Sequence, residues 1–280
     1  INMKKYIKII APILLGVFFI YLSVKITTPE ERILIWSYIK SAKIEFIIAA
    51  MMFGAFADVI RGLRWRFLAK AVGNSSNPLI SIASVFMCYS SNLIITRSGE
   101  ILRATVLSSY NNIPLGKTFG TIAAERVIDM MISLIILLLV WVLQYEIIVE
   151  SFFDDELLFF INDNISYIIG LGLIIIILLS IFFTKIKSVK KFFLSILEGL
   201  LSILKLKKDL PWFILATVTI WGGYFTAFYM IKFSIPEFSI IPTELIFPAF
   251  VVSVFSISLS NHGLGLYPLA ISLFLLEFAI

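Results

Sequence analysis

Thiol, imidazole and, over long stretches, positive charge are what this sequence has least of. One cysteine (Cys88) and one histidine (His262) occur in 280 residues. An intrachain disulfide, a Cys/His zinc site and haem ligation by two histidines are thereby excluded. No G-x-x-x-x-G-K-[ST] run is present, so a nucleotide phosphate loop is not supported. No hydrophilic stretch is long enough to fold as a separate soluble domain. Between Arg126 and Lys185 there is neither lysine nor arginine.

What is there is hydrocarbon. Hydrophobic residues make up 60% of the chain and the mean hydropathy is +1.02, where a soluble domain holds about 45–50% apolar residues. The expected fold is an all-α polytopic membrane protein: one transmembrane domain over residues 1–280, with about six to eight spanning helices and two re-entrant or broken segments. The net charge of +5 is unevenly spread. It fits cytoplasmic loops beside an anionic lipid surface rather than nucleic acid.

Basic residues then set an expected topology. Lys4, Lys5 and Lys8 precede a first apolar span at 9–24, which places the N-terminus in the cytoplasm. The run has no A-x-A-like cleavage pattern and reads as a retained span. A second span at 44–60 carries Asp58 and leads into RGLRWRFLAK, where Arg61, Arg64, Arg66 and Lys70 mark the cytoplasmic side and Trp65 suits headgroup level. Asp58 and Arg61 are three apart and are placed to pair. The spans at 127–145 and 165–183 flank a loop rich in Asp and Glu, and a loop with seven lysines follows at 185–209. Within it, the apolar residues of 188–204 recur at helical spacing, the pattern of an amphipathic helix on the membrane surface or of a connector under the bundle. Asp209 and Pro211 read as N-cap and first-turn residues of the next span, and Gly222–Gly223 allow close helix packing. The final apolar run, at 273–280, suggests a last helix cut short.

The segment between Lys70 and Arg126 has both ends on the same side, so it must cross twice or dip in and return. Residues 78–96 are apolar enough to enter the bilayer, but the return arm, 101–109, is short of the about 20 residues needed to span it. A re-entrant helical hairpin is the expectation, its tip at Arg97–Ser98–Gly99–Glu100 lining a cavity. Arg97, Glu100 and Arg103 are spaced by three and form a staircase of alternating charge; Glu125 and Asp129 are four apart on one helix face with Arg126 beside them. Ionisable groups at membrane depth are costly and mark functional sites, whereas single ones at a span's end snorkel and fix topology. A second interruption, Asn261-His262-Gly263-Leu264-Gly265 followed by Pro268, lies in the other half of the chain, and paired interruptions point to a transporter's binding site.

At Asn92, Arg97-x-Gly99-Glu100-x-x-Arg103 and Glu125-Arg126-x-x-Asp129, with support from Arg61-x-x-Arg64-Trp65 and the 261–265 break, the chain resembles the flippase-like family formed by the transmembrane part of lysylphosphatidylglycerol synthases and their stand-alone relatives. The likeness extends over nearly the whole length. It implies an inner (cytoplasmic) membrane protein that moves phospholipid or lipid-linked headgroups between leaflets, without cofactor or metal, and with membrane lipids as partners; a homodimer is compatible with it. The fused aminoacyl-transfer domain of some relatives is not carried over. The last motif departs from the family's Pro-Gly-Gly-x-Gly-acidic pattern: Asn261-His262 replace Pro-Gly, and Tyr267-Pro268 stand where charge is usual.

The substrate-binding candidates are Asn92, Arg97, Gly99, Glu100, Arg103, Glu125, Arg126, Asp129, Asn261, Gly263 and Gly265. Arg97 and Arg103 would take phosphate through guanidinium donors. Glu100, Glu125 and Asp129 would orient them or meet an ammonium headgroup, and Asn92, Ser90 and Ser91 would satisfy backbone near the tip. Two other readings stand beside this one. The same hairpin suits a small-anion or metabolite transporter. Asp154–Asp155–Glu156 suit either a metal-assisted transferase site or plain solvation of an outer loop.

Overall fold

The computed structural model describes residues 21, 25, 27–72, 75–94, 98–145, 206–259 and 266–278. Among them are eight α-helices and no strand: α1 (Pro29–Ser41), α2 (Ile44–Ala71), α3 (Pro78–Ile94), α4 (Gly99–Asn111), α5 (Leu115–Leu143), α6 (Leu210–Ile231), α7 (Thr243–Leu259) and α8 (Leu266–Glu277). The expected first span (apart from Tyr21), the acidic loop beyond Tyr145, the span at 165–183 and the lysine-flanked helix at 188–204 lie outside the described residues.

Three helices, α2, α5 and α6, are long and apolar enough to cross a membrane. Their outward faces confirm the solvent they were built for. Met51, Met52, Leu138, Val142 and Val218 are all more than half exposed, an arrangement that water would penalise and lipid does not. α2 and α6 form the central pair and run antiparallel. Lys43 N–H donates to the Ser234 carbonyl at 2.7 Å at one end, and Lys70 Nζ meets Asp209 Oδ2 at 2.6 Å at the other. Asp209 does take the N-cap position of α6, with Pro211 in its first turn, but its side chain makes no capping bond there. It is drawn to Lys70 instead.

The contact between α2 and its neighbours is made by small residues. A Cβ on Gly223 would stand 3.0 Å from Ala57 Cβ, and one on Gly62 would stand 2.6 Å from the Ile82 Cα of α3. Backbones approach closely where side chains are absent, as membrane helix packing requires. Gly222, by contrast, faces open space and plays no packing role.

Helices α3 and α4 make an antiparallel hairpin clasped at both ends. Asn77 N–H donates to Asn111 Oδ1 at 2.8 Å, and Gly99 N–H donates to Asn92 Oδ1 at 2.7 Å. At about 1.5 Å per residue the 13 residues of α4 reach about 20 Å, short of a hydrocarbon core of about 30 Å. Asn112, in the left-handed region at φ 54°, ends α4 and turns the chain into α5. On the other side α7 packs against α5 and α8. The join between α7 and α8 is the second interruption; Asn261, Gly263 and Gly265 fall in it, outside the described residues.

One expectation fails here. The second span does not stop at residue 60, because α2 continues without a break through RGLRWRFLAK to Ala71, and Trp65, expected at headgroup level, is fully buried and donates to Thr121 Oγ1 at 3.0 Å. Arg61 and Arg64 are buried while Arg66 and Lys70 are exposed. A three-residue spacing puts the first two on one helix face, towards α5 and α6, and the other two off it.

Candidate functional site

Five ionised side chains from three helices meet in the interior. Glu125 of α5 is fully buried and takes three guanidinium groups: Arg103 Nη2 at 3.0 Å from Oε2, Arg64 Nη2 at 3.1 Å and Arg61 Nη1 at 3.6 Å from Oε1. One turn on, Asp129 takes Arg61 Nη1 at 2.5 Å and Arg64 Nη2 at 2.9 Å. The i, i+4 spacing of the two acids stacks them on the α5 face that meets α2. Three positive charges are thus set against two negative ones.

α6 supplies the uncharged contacts. Arg64 Nη1 donates to Thr217 Oγ1 at 3.1 Å, and its guanidinium lies 5.4 Å from the centre of the Phe213 ring. Arg61 Nε donates to the Tyr224 hydroxyl at 3.2 Å, and that hydroxyl donates to Asp58 Oδ1 at 2.6 Å. Asp58 and Arg61 therefore meet through Tyr224 rather than as the direct pair expected from their spacing. Counted from the start of α6, Thr217 lies about 10 Å and Tyr224 about 21 Å along the helix axis. The charge cluster is thus level with the middle third of α6, a helix long enough to cross a membrane.

Some donors in the cluster are left over. Among the described residues, Arg64 Nε and Arg103 Nε have no hydrogen-bond partner, and the Arg103 Nη2–Glu125 Oε2 pair is close in distance without hydrogen-bond alignment. A buried guanidinium with idle N–H groups keeps capacity for another anion.

A second, looser pair lies beside the first. Arg126 Nη2 is 3.3 Å from Glu100 Oε1, both side chains part-exposed. The staircase on α4 is therefore not a set of pairs along one helix. Glu100 and Arg103 each reach across to α5, to Arg126 and Glu125, and cross-link the hairpin to it. Gly99 sits against the neighbouring arm of the hairpin so closely that a Cβ would collide with the Cys88 carbonyl and the Asn92 side chain. At the same tip the Ser91 and Ser98 hydroxyls bond at 2.6 Å. Of the sequence candidates, Glu100, Arg103, Glu125, Arg126 and Asp129 are gathered around one locus, with Asn92 and Gly99 at the hairpin end. Ser90 is exposed, and Arg97 lies outside the described residues. Thr217 and Tyr224 carried no signal in the sequence, since a hydroxyl in an apolar span looks like any other.

Two cavities flank α6. One, about 650 Å³, is apolar and walled by α5, α6 and α7, including Ile132, Phe213, Trp221, Phe225 and Phe250. The Trp221 Nε1 there has no hydrogen-bond partner among the described residues. The other, about 810 Å³, lies between the end of α2 and the start of α6 and is partly basic. No group of three or more His, Cys, Asp and Glu side chains suited to a metal ion occurs among the described residues.

Membrane-crossing helices around a buried charge cluster make this a multi-pass membrane protein. Residues 9–278 match the family described as lysylphosphatidylglycerol synthase TM region, and the chain belongs to that family. Two curated relatives are similar over parts of it. A UPF0104 membrane protein of Methanocaldococcus jannaschii is 33% identical over 103 residues, 34% of this chain and 30% of the relative. The glycosyltransferase AglD of Haloferax volcanii is 28% identical over 131 residues, 46% of this chain and 20% of the relative. The chain thus spans less than a third of either relative's length. No solved structure matches it significantly.

Proposed function

We propose that this protein moves phospholipid or lipid-linked headgroups between the leaflets of an inner (cytoplasmic) membrane, with its N-terminus in the cytoplasm. The observation that carries the reading is a cluster of three arginines and two carboxylates buried between membrane-length helices, with the idle guanidinium donors of Arg64 and Arg103. Membership of a family named for a lipid-synthase membrane region supports it. So does the partial likeness to a glycosyltransferase, although that activity belongs to a protein of which only a fifth is matched.

The chemistry required is exchange. A headgroup crossing hydrocarbon loses its hydration, and the path must replace it group for group. Arginine forks suit phosphate oxygens because two parallel N–H donors meet two acceptors. While no phosphate is present, Glu125 and Asp129 occupy those forks, so no guanidinium is left bare in a medium of low dielectric. An arriving phosphate displaces a carboxylate, and the carboxylate is then available for an ammonium group on the same lipid. The acyl chains stay outside, in lipid. No phosphate-binding glycine loop of the G-x-x-x-x-G-K-[ST] type occurs in the sequence, so ATP use is not supported, and scrambling and ion coupling are both compatible with the exchange.

The test is transport in vesicles. Purified parent, Arg103→Lys and Glu100→Gln would be reconstituted with labelled phospholipid and the rate of leaflet exchange measured. Arg103→Lys keeps the charge and loses the fork; Glu100→Gln keeps shape and frees Arg126. Both are expected to slow exchange while remaining monodisperse. Folded variants as fast as the parent would make these residues structural. A parent that moves small anions and no lipid would make the cluster an anion carrier instead.

A further inference from the structure

The cavity of about 810 Å³ between α2 and α6 is separate from the apolar one on the far side of α6, and its wall is asymmetric in charge. Arg64, Arg66 and Lys70 line it, against one acid, Asp209, which is already engaged by Lys70 at 2.6 Å. Arg66 is exposed and makes no ion pair among the described residues. Arg64, at 0% exposure, is the back wall, with its Nε unpartnered among the described residues; so is the buried Ser76 hydroxyl. Below these donors the wall turns apolar with Leu63, Phe67, Leu215 and Ala216. Trp212, 61% exposed near the start of α6, sits where an indole prefers the headgroup level.

Excess cations, two idle buried donors and an amphipathic rim describe a receptor for an oxyanion, and the planar fork of arginine with a hydroxyl favours phosphate over a halide. We infer that this cavity is a binding site for a phosphate group, held by Arg66 and Lys70 at the mouth, with the charge of Arg64 and the Ser76 hydroxyl just behind its wall. Arg64 belongs to two sites at once. It faces this cavity and also holds Glu125 and Asp129, so a phosphate here bears directly on the buried cluster. The inference concerns binding alone and does not require that lipid cross the bilayer.

Ser75, exposed on the cavity wall, gives the readout. Ser75→Cys in a Cys88→Ala background would be purified in a maltoside detergent, which carries no phosphate, and labelled with an uncharged maleimide. If Cys88→Ala proves unstable, Cys88 can be retained, since it is 1% exposed and shielded in the folded protein. Bound phosphate slows labelling by one plus the ratio of free ligand to Kd, roughly tenfold at about ten times Kd. Slowing by phosphatidylglycerol in mixed micelles, with diacylglycerol inert, supports the site with a lipid as the source. Slowing by inorganic phosphate alone supports it with a soluble phosphate compound as the source. In either case Arg66→Gln with Lys70→Gln is expected to abolish the protection. If neither probe slows labelling, or if protection survives the double substitution, the inference is overturned.

Discussion

Neutralising Glu125 should unsettle the fold far more than neutralising Glu100, although both are glutamates paired with arginine. Glu125 is fully buried and meets three guanidinium groups at 3.0, 3.1 and 3.6 Å. Glu125→Gln would leave three buried cations facing Asp129 alone, raising the local excess from one positive charge to two. Removing one partner of a buried ion pair costs about 3–5 kcal/mol, because the remaining charge is left uncompensated in low dielectric. Glu100, paired with Arg126 at 3.3 Å and with both side chains part-exposed, sits in a screened setting where a pair is worth about 0–1 kcal/mol. For a chain of this size the first cost corresponds to a melting shift of roughly 6–20 °C, the second to no more than about 4 °C. The protein carries its own reporter: Cys88 is the sole cysteine and is 1% exposed. A thiol-reactive fluorophore that lights up on unfolding would therefore give the melting curve of each variant in detergent. Glu125→Gln melting within about 2 °C of the parent would refute the reasoning, as would Glu100→Gln melting as low as Glu125→Gln. The first outcome would mean that water or a counter-anion already compensates the arginines.

Gly99→Ala should destabilise the hairpin by about 1–3 kcal/mol through overpacking, since its Cβ would strike the Cys88 carbonyl; the same thiol assay reads it, and a rise in melting temperature would contradict the packing. Tyr224→Phe removes the hydroxyl that links Arg61 to Asp58, and the loss of both bonds should cost about 1–3 kcal/mol. An Asp58→Asn companion should recover part of that cost, and a double-mutant cycle that shows no coupling would put the two groups out of contact. Cysteines placed at Tyr110 or Leu115, exposed on either side of the turn between α4 and α5, should label from the cytoplasmic side in oriented vesicles, and labelling from the opposite side would overturn the proposed orientation of the hairpin.

Much of this arrangement can be read from the chain before folding, and the part that cannot has a clear physical cause. Glu125 and Asp129 announce themselves because an i, i+4 pair of acids leading into an apolar run is costly at membrane depth and shares one helix face, which snorkelling accounts for less readily than it does for a single charge. The hairpin is legible from its short return arm, and its tip from Asn92 and Gly99. Arg61 and Arg64 are not legible, because a basic tract at the end of an apolar span looks the same whether it faces headgroups or folds back into the bundle. What separates the cases is a partner, and theirs lie 61 to 68 residues away on α5. Arg103 is legible as an arginine held by carboxylates, but which carboxylate holds it is not: Glu100, its neighbour on α4, reaches Arg126, and Arg103 meets Glu125 on another helix. Tyr224 and Thr217 are silent in sequence, since their importance arises only when α6 is laid against α2.

A hairpin clasped at both ends cannot open at its tip like a pair of tweezers. With Asn77 held by Asn111 at one end and Gly99 by Asn92 at the other, α3 and α4 form a stiff plank. Its fulcrum is the close contact of Gly62 with Ile82, where nothing larger than hydrogen fits. Arg103 and Glu100 are the only ionised links from α4 to α5 among the described residues. Tilting the plank therefore strains these two tethers. An occupant that took over the arginine would release one tether and leave the plank free to rock, so that access and occupancy would be geared to each other without any element having to unfold.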